Sequence, residues 1–588
     1  MEGDPRPLRV RWLGRVAYRE ALDLQHRLFD ASPDDHLLLL EHPDTLTLGV
    51  RADAAHVLVD PGEFGGEIVE VDRGGDVTYH GPGQLVGYPI LTIADHPRGE
   101  VVRTRDYVEA LEGVLIETLA DVGLPGAGIL EGHPGVWLDA DGPRPRKIAA
   151  IGVRIARGRT MHGFALNVDC DLDRFGTIVP CGLSLPVTSL RAEGGAATMR
   201  QVADAVVARF VERFAGPAFR GPRLVDRSDV AWRTPVDGRD LTPFSRGAGP
   251  GETTRYASST PGPSRGLGTP ATRPSRSETG GTSVRLLGRL AEAGVAGGVA
   301  LAEPKPEWMR AKLRLGPEVA RLGATLRDLD LVTVCEEAGC PNLSECWAEG
   351  TATFMVCGER CTRACGFCLV DTRHPEALDP GEPARVAEAV QRMALDHVVI
   401  TMVARDDLED GGAAHIAATV EAVRSARPEA RVEVLISDLG GDRAALDVVL
   451  ASGPDVVNHN IETVARLQRA ARPSASYARS LALLARAAST GVTTKSGIVA
   501  GMGETDDEIR STMADLAAVG VDIVTIGQYL RPTSHHLPVA RWWRPEVFDD
   551  WKRYGEDVLG LAHVESSPFT RSSHHAGAAA DAAAARRA

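Results

Sequence analysis

The chain has 588 residues, of which 43% are hydrophobic and 25% charged, and carries a net charge of −15 at pH 7. A single core stops growing near about 250–300 residues, so more than one domain is expected. The composition excludes a fibrous or wholly disordered chain, the acidic balance argues against a nucleic-acid partner, and no run of 18 apolar residues offers a membrane span. The start, MEGDPRPLRV, lacks a basic stretch followed by an apolar one, so no secretory signal is read and a cytoplasmic location is expected.

In chain order, the apolar runs at 36–43, 66–73, 83–90 and 147–155 read as strands, and 105–123 has helix-period apolar positions ending at Gly123. Strands with few helices predict an α/β domain on a mixed sheet, taken as residues 1–235. Four stretches in it carry chemistry. RGGDVTYHGPGQ (73–84) holds four glycines and His80, Lys147 lies in RPRKIAAIGV, HGFALNV spans 162–168, and Cys181 sits in IVPCGLSLPVTSL. A lysine beside a cysteine can depress the thiol pKa and, once neutral, shuttle the proton, as in other nucleophile–base pairs. The plain alternatives are an inert buried thiol and a solvated lysine. Arg144, Arg146, Lys147, Arg154, Arg157 and Arg159 are close in sequence and predict a basic face.

From Leu241 to Ser283, Gly, Pro, Ser and Thr supply 29 of 43 residues, too little apolar surface to offset ordering entropy. A flexible linker is therefore predicted, bounded at 236–299, with 284–302 open between a short helix and loose chain. Residues 300–576 form the second predicted domain. Strands at 351–357, 397–403, 431–437, 455–460, 493–501 and 522–530 alternate with amphipathic helical stretches. Six βα units imply a parallel barrel or part of one, with ligands at the carboxyl ends of its strands. The Ala-rich end, 577–588, reads as a disordered tail.

Seven of the nine cysteines fall between Cys335 and Cys368. Disulfide frameworks are spread through small secreted domains, so a metal or cluster site is the stronger reading. Cys361, Cys365 and Cys368 form a CxxxCxxC loop directly after the first barrel strand, and Cys335, Cys340 and Cys346 form a second trio in VCEEAGCPNLSECW. Thiolates suit iron–sulfur clusters or zinc, and zinc prefers a closed set of four ligands. Each trio is one short, so the two sets could also share metals. Cys357 reads as a small buried hydrophobe.

CTRACGFC resembles the signature of radical S-adenosylmethionine enzymes, and CEEAGCPNLSECW followed by GTATFM resembles lipoyl synthases in particular. The similarity continues through RDDLEDGGA (405–413), NHNIETV (458–464), TKSGIVAGMGE (494–504), IGQYLRPTSHHLPVARWW (526–543) and RSSHHA (571–576). The resemblance implies a partial (β/α)6 TIM-type barrel with two 4Fe-4S clusters and S-adenosyl-L-methionine as cofactors. Cys361, Cys365 and Cys368 would hold the radical cluster. Cys335, Cys340 and Cys346, with Ser573 (or its neighbour Ser572) as fourth ligand, would hold an auxiliary cluster that donates sulfur to C6 and C8 of an octanoyl group. The family usually has Tyr at His574, an aliphatic residue at Cys357 and Pro at Ser437.

Residues 8–215 resemble the octanoyltransferases of the same pathway, whose fold is similar to biotin and lipoate ligases. That resemblance implies Cys181 as acyl carrier and Lys147 as its acid/base. The implied acyl pocket is Arg73, Gly74, Gly75, Asp76, Val77, Thr78, Tyr79 and His80, with Ala150, Ile151, Gly152, Gly163, Phe164 and Ala165. Expected partners are octanoyl-acyl carrier protein, the lipoyl carrier domains of 2-oxoacid dehydrogenase complexes and glycine-cleavage H protein, and a reductant such as ferredoxin or flavodoxin. The rivals are an ATP-dependent ligase for the first domain and, for the second, a structural zinc protein or a sulfur-inserting enzyme acting on tRNA.

Overall fold

The computed structural model describes residues 6–93, 103–179, 185–215, 219, 223–230, 284–295, 298, 305–309, 325–326, 328–329, 331, 342, 346 and 351–587. Two compact units divide the chain, Met1–Thr234 and Pro235–Ala588.

Unit 1 begins with β1 (Arg6–Arg15), α1 (Tyr18–Ala31), β2 (Asp35–Glu41), β3 (Thr45–Leu48), β4 (Glu67–Glu70), β5 (Val77–His80) and β6 (Gln84–Ile90). It continues with α2 (Thr104–Asp121), β7 (Ala127–Leu130), β8 (His133–Leu138), β9 (Arg146–Ala156), β10 (Arg159–Asn167), α3 (Met199–Phe214) and β11 (Arg223–Asp229). An eight-stranded sheet runs β11-β1-β2-β6-β10-β9-β8-β7 and a three-stranded one β4-β3-β5. β1 pairs in parallel with β11 and β2, whereas the β2–β6–β10–β9–β8 run is antiparallel, which makes the large sheet mixed. Tyr18, Ala21, Leu24, Gln25 and Leu28 recur at helical spacing on α1 and are all buried. Leu8, Val10, Leu37, Leu39 and Leu166 pack with Tyr107, Leu111 and Leu115 of α2 and Phe210 and Phe214 of α3 in one core.

Unit 2 contains α4 (Val284–Glu292), β12 (Thr351–Val356), α5 (Glu382–Met393), β13 (His397–Met402), α6 (Ala413–Ala426), β14 (Arg431–Leu435), α7 (Arg443–Ala451) and β15 (Val456–Asn458). It then has α8 (Tyr477–Ser489), β16 (Thr493–Ala500), α9 (Asp506–Ala518), β17 (Ile523–Gln528), α10 (Pro545–Arg553), β18 (His563–Ser566) and α11 (Ala576–Arg587). Its strands are parallel in sequence order from β12 to β18, the alternating architecture that places loops after each strand on one rim. Local chemistry agrees with the fold: Thr505 and Glu508 form a reciprocal capping box that starts α9. Among the described residues no helix is long and apolar enough to cross a membrane.

Two expectations change, and one alternative left open is resolved. The barrel has a seventh strand, β18, whose four residues HVES are too short and polar to register as a strand pattern. Of the tail 577–588, expected to be disordered, the described residues 577–587 belong to the helix α11. Alanine has the best helix propensity, and Ala579 and Ala583 bury against Ile523 while Arg586 donates to the Leu561 carbonyl at 2.6 Å. The segment after the linker forms α4, whose Leu286 and Leu290 are buried. The predicted linker lies outside the described residues up to 283.

Candidate functional sites

In unit 1, β9 and β10 bring the two glycine-bearing stretches together. Gly152 pairs with Gly163, Ile151 with Phe164 and Ala150 with Ala165. These six residues line a pocket of about 460 Å³, open mouth included, together with Arg73, Gly74, Gly75, Asp76, Thr78 and His80. Two predicted lining residues are absent from it. β5 alternates its side chains, so Thr78 and His80 face the pocket while Val77 and Tyr79 join a small core with Leu46, Phe64 and Phe175. Tyr79 instead donates to Asp44 Oδ1 at 2.6 Å. The glycines serve close approach: a Cβ on Gly163 would lie 2.1 Å from the Gly87 carbonyl oxygen, and one on Gly152 2.9 Å from that of Gly74.

Tyr18, Tyr88 and His162 also line the pocket; His162 opens the HGFALNV stretch, whereas no local sequence signal marks the two tyrosines. Burial pushes the Tyr18 hydroxyl up to about 12 and holds His80 well below the usual histidine range, so both are neutral at pH 7. His80 Nδ1 is 2.8 Å from Gln84 Oε1. His162 Nε2 is 2.7 Å from Asp72 Oδ1, and this hydrogen bond brings the Asp72 carboxyl down to about 2. Arg73 donates to the Thr47 carbonyl at 2.7 Å. The pocket thus has glycine and aromatic lining, with the buried neutral groups of Tyr18 and His80 beside the buried guanidinium of Arg73.

Lys147 lies on β9, is 8% exposed, and is not among the pocket-lining residues. Its Nζ donates to the Pro134 carbonyl at 3.1 Å and sits 4.8 Å from the Trp137 ring centre. Its backbone N–H donates to Pro186 O at 2.9 Å, and Thr188 N–H returns a bond to its carbonyl at 2.8 Å. These bonds fix the chain just beyond 180–184; Cys181 itself lies outside the described residues. The predicted basic face is partly neutralised. Arg146 pairs with Glu193 at 2.6 Å, Arg154 with Asp72 and Arg157 with Asp30, and Arg159 spends its guanidinium on the carbonyls of Phe29, Ser32 and Asp34. Nearby carboxylates and carbonyls, invisible to a local count of arginines, absorb the charge.

In unit 2, the CxxxCxxC loop leaves the end of β12 through Cys357 (φ +70°) and Gly358 (φ +90°). It is pinned along its length: Cys361 N–H to Asp371 O at 2.8 Å, Thr362 N–H to Ala404 O at 3.0 Å, and Gly366 N–H to Ala471 O at 2.7 Å. Leu537 N–H donates to Gly366 O at 2.8 Å, and His536 Nε2 is 2.8 Å from Cys368 O. Arg363, within the loop, reaches Asp406 Oδ1 at 2.5 Å and Asp438 Oδ1 at 2.6 Å, with Asp438 fully buried. Asp406 comes from the stretch RDDLEDGGA, but nothing in the sequence links it to Arg363.

The donor set fits an iron–sulfur group. Burial pushes the thiols of Cys361, Cys365 and Cys368 up, Cys365 to about 12, so they ionise only when a metal displaces the proton. A single zinc ion would draw its sulfurs to within about 4 Å of one another. Among the described residues the only ligand group closed within 4.8 Å is Glu565, His574 and His575, so the three thiols are spread wider than one ion needs. Glu462, raised by its burial against the pull of Arg472, stands within electrostatic reach of Cys365 and Cys368.

Of the second trio, Cys346 is buried, with its N–H on Asn342 O at 3.0 Å; Cys335 and Cys340 lie outside the described residues. Asn342 Nδ2 donates to Phe569 O at 2.7 Å, tying this segment to the loop that carries Ser572 and Ser573. Ser572 Oγ accepts from Asn460 Nδ2 at 2.7 Å, whereas Ser573 makes no side-chain hydrogen bond among the described residues. Deeper in the barrel, Lys495 and Glu433 form a fully buried pair at 3.0 Å, with Asn458 donating to Glu433 at 2.8 Å.

Three family models match: the lipoyl protein ligase A/B catalytic domain over residues 17–211, the N-terminal domain of lipoyl synthase over 300–340, and the radical SAM superfamily over 355–516. A lipoyl synthase of Rubrobacter xylanophilus is 53% identical over 274 residues, 46% of this chain and 85% of its own length. One from Mycobacterium leprae is 50% identical over 275 residues, 47% of this chain and 87% of its own. A solved bi-partite lipoate protein ligase from Thermoplasma acidophilum aligns with 38% of this chain and 88% of its own at 16% identity and a TM-score of 0.31. The chain therefore belongs to the lipoyl synthase family of radical SAM proteins through its C-terminal half, and carries ahead of it a lipoyl protein ligase A/B catalytic domain.

Proposed function

We propose that the chain builds lipoyl groups in two steps. Unit 1 transfers an octanoyl group from acyl carrier protein to a lysine of a lipoyl carrier domain, and unit 2 inserts sulfur at C6 and C8 of that group. The observation that carries the reading is the pairing, in one polypeptide, of a glycine-walled pocket with a pinned loop that carries three thiols.

Cys181 takes the octanoyl group as a thioester. Lys147 accepts the thiol proton and returns it to the leaving carrier thiolate. Its Nζ is held by the Pro134 carbonyl over the Trp137 ring, so the ammonium has a fixed place from which to stabilise the thiolate. The acyl chain lies along Gly152 and Gly163, where the walls have no side chains, and the neutral Tyr18 and His80 demand no counter-charge.

In unit 2, Cys361, Cys365 and Cys368 hold the radical 4Fe-4S cluster, and Cys335, Cys340, Cys346 and Ser573 hold the auxiliary one. Ser573 is favoured over Ser572 because the latter's hydroxyl is already engaged by Asn460. When bound, the group supplies electron transfer to S-adenosylmethionine and so the radical needed to break an unactivated C–H bond, which no side-chain base can do. The protein's own work is positional: Arg363, Asp406 and Asp438 fix the loop, and Asn342 holds the second thiol segment to the loop bearing Ser573.

The test is anaerobic incubation of reconstituted full-length protein with octanoyl-acyl carrier protein, apo carrier domain, S-adenosylmethionine and reductant, following masses. The carrier domain should gain an octanoyl group and then two sulfurs, and intact enzyme should show an octanoyl adduct at Cys181. Lys147→Ala should slow loading by about 10²–10⁴-fold. Acylation that needs ATP and free fatty acid instead of the acyl carrier would replace the transferase by a ligase.

A further inference from the structure

Three histidines converge on one carboxylate at the far edge of unit 2. Glu565 is the third residue of β18, paired with Thr525 of β17. Its Oε1 is 3.2 Å from His575 Nδ1 and 3.6 Å from His574 Nδ1, and its Oε2 is 3.4 Å from His563 Nε2. The backbone delivers both C-terminal rings from a fixed corner. His574 N–H closes a turn on Arg571 O at 2.9 Å, and His575, at a left-handed φ of +50°, turns the chain into α11, which is anchored by Ala579 and Ala583.

We propose that Glu565, His574 and His575 form a site for one divalent first-row transition-metal ion. One carboxylate and two imidazoles are the donor set such ions take. A tetrahedral ion with bonds of about 2.0–2.1 Å holds its ligand atoms about 3.3 Å apart. The spacings of 3.2 and 3.6 Å bracket that edge, and the ligand atoms of all three residues lie within 4.8 Å of one another.

The rings of His574 and His575 stack with their centroids 3.8 Å apart, so the two imidazoles are held side by side toward the carboxylate. His563, which also stands 3.6 Å from Glu556, serves as the outer partner that orients the carboxylate. His574 is buried, whereas His575 keeps a third of its side chain exposed, which leaves a path for the ion and a position for water. The site uses none of the thiols and does not depend on the two-step reading above.

The experiment uses tag-free, full-length, iron–sulfur-reconstituted protein dialysed anaerobically against zinc buffered at micromolar free concentration. Zinc, iron and sulfide are counted per chain, and the zinc K-edge is recorded. One zinc per chain with a nitrogen/oxygen shell at about 2.0–2.1 Å is expected, distinct from the about 2.3 Å of a thiolate. Glu565→Gln and His575→Gln should each weaken zinc retention more than ten-fold with iron and sulfide unchanged. No retained zinc, a sulfur shell, or undiminished retention by either variant overturns the proposal. The wild-type count and shell decide it even if a variant fails to fold.

Discussion

The pocket of unit 1 and the thiol loop of unit 2 solve opposite problems. The pocket is made by omission: Gly152 and Gly163 face one another across β9 and β10, and the space they leave is the site. The loop is made by restraint. Backbone bonds from residues 471, 404 and 371 and the Arg363 clamp hold three thiols that burial keeps protonated, so their chemistry waits for a metal. One site depends on what its walls lack and the other on what its anchors grip. Substitutions should therefore act differently in the two.

The largest contrast is expected from Cys365→Ala. Removing one thiolate of three should abolish cluster assembly and reductive cleavage of S-adenosylmethionine, read as loss of 5′-deoxyadenosine release. Acyl transfer by the same full-length protein should keep its rate. A parallel fall in transfer would show that the units do not work separately and would break the comparison. Arg363→Leu comes next. It removes the nearer cation from Asp438, which is fully buried and would keep only Arg479 at 3.8 Å, so the cost should approach the about 3–5 kcal/mol of breaking a buried pair. The loss should appear as a lower denaturation midpoint for unit 2, with the transition of unit 1 unmoved.

How much of this could be read from the residues alone follows from the same contrast. The thiol spacing, the strand periods of the barrel and the glycine stretches are local patterns, and the structure has elements where those patterns put them. What escaped reading is set by partners distant in the chain. Val77 and Tyr79 lie in a lining stretch but face away because β5 alternates. Arg146, Arg154 and Arg157 count as a basic cluster until Glu193, Asp72 and Asp30 are brought against them. The Ala-rich end reads as fraying until Ile523 offers it a surface to bury against. Asp438 contacts Arg363 only because β12 and β14 share a sheet, a fact of topology with no local signature.

The finest test makes the same chemical change in both sites. At Gly163, a methyl would sit 2.1 Å from the Gly87 carbonyl oxygen and 2.6 Å from Pro89 Cδ, a backbone group and a rigid ring within the sheet. Neither can rotate away, so Gly163→Ala should cost about 1–3 kcal/mol of unit 1 stability and slow octanoyl loading, seen by intact mass against time. At Gly366, between Cys365 and Cys368, the nearest atoms are Leu537 Cγ at 2.8 Å, Leu537 Cδ1 at 3.0 Å and Leu286 Cδ2 at 3.3 Å, side-chain atoms that torsion changes can move where a backbone carbonyl cannot. Gly366→Ala should cost about 1 kcal/mol or less, with iron content retained. If the Gly366 change proved the costlier of the two, the loop and not the pocket would be the tightly walled site, because only a neighbour unable to yield makes one added methyl expensive.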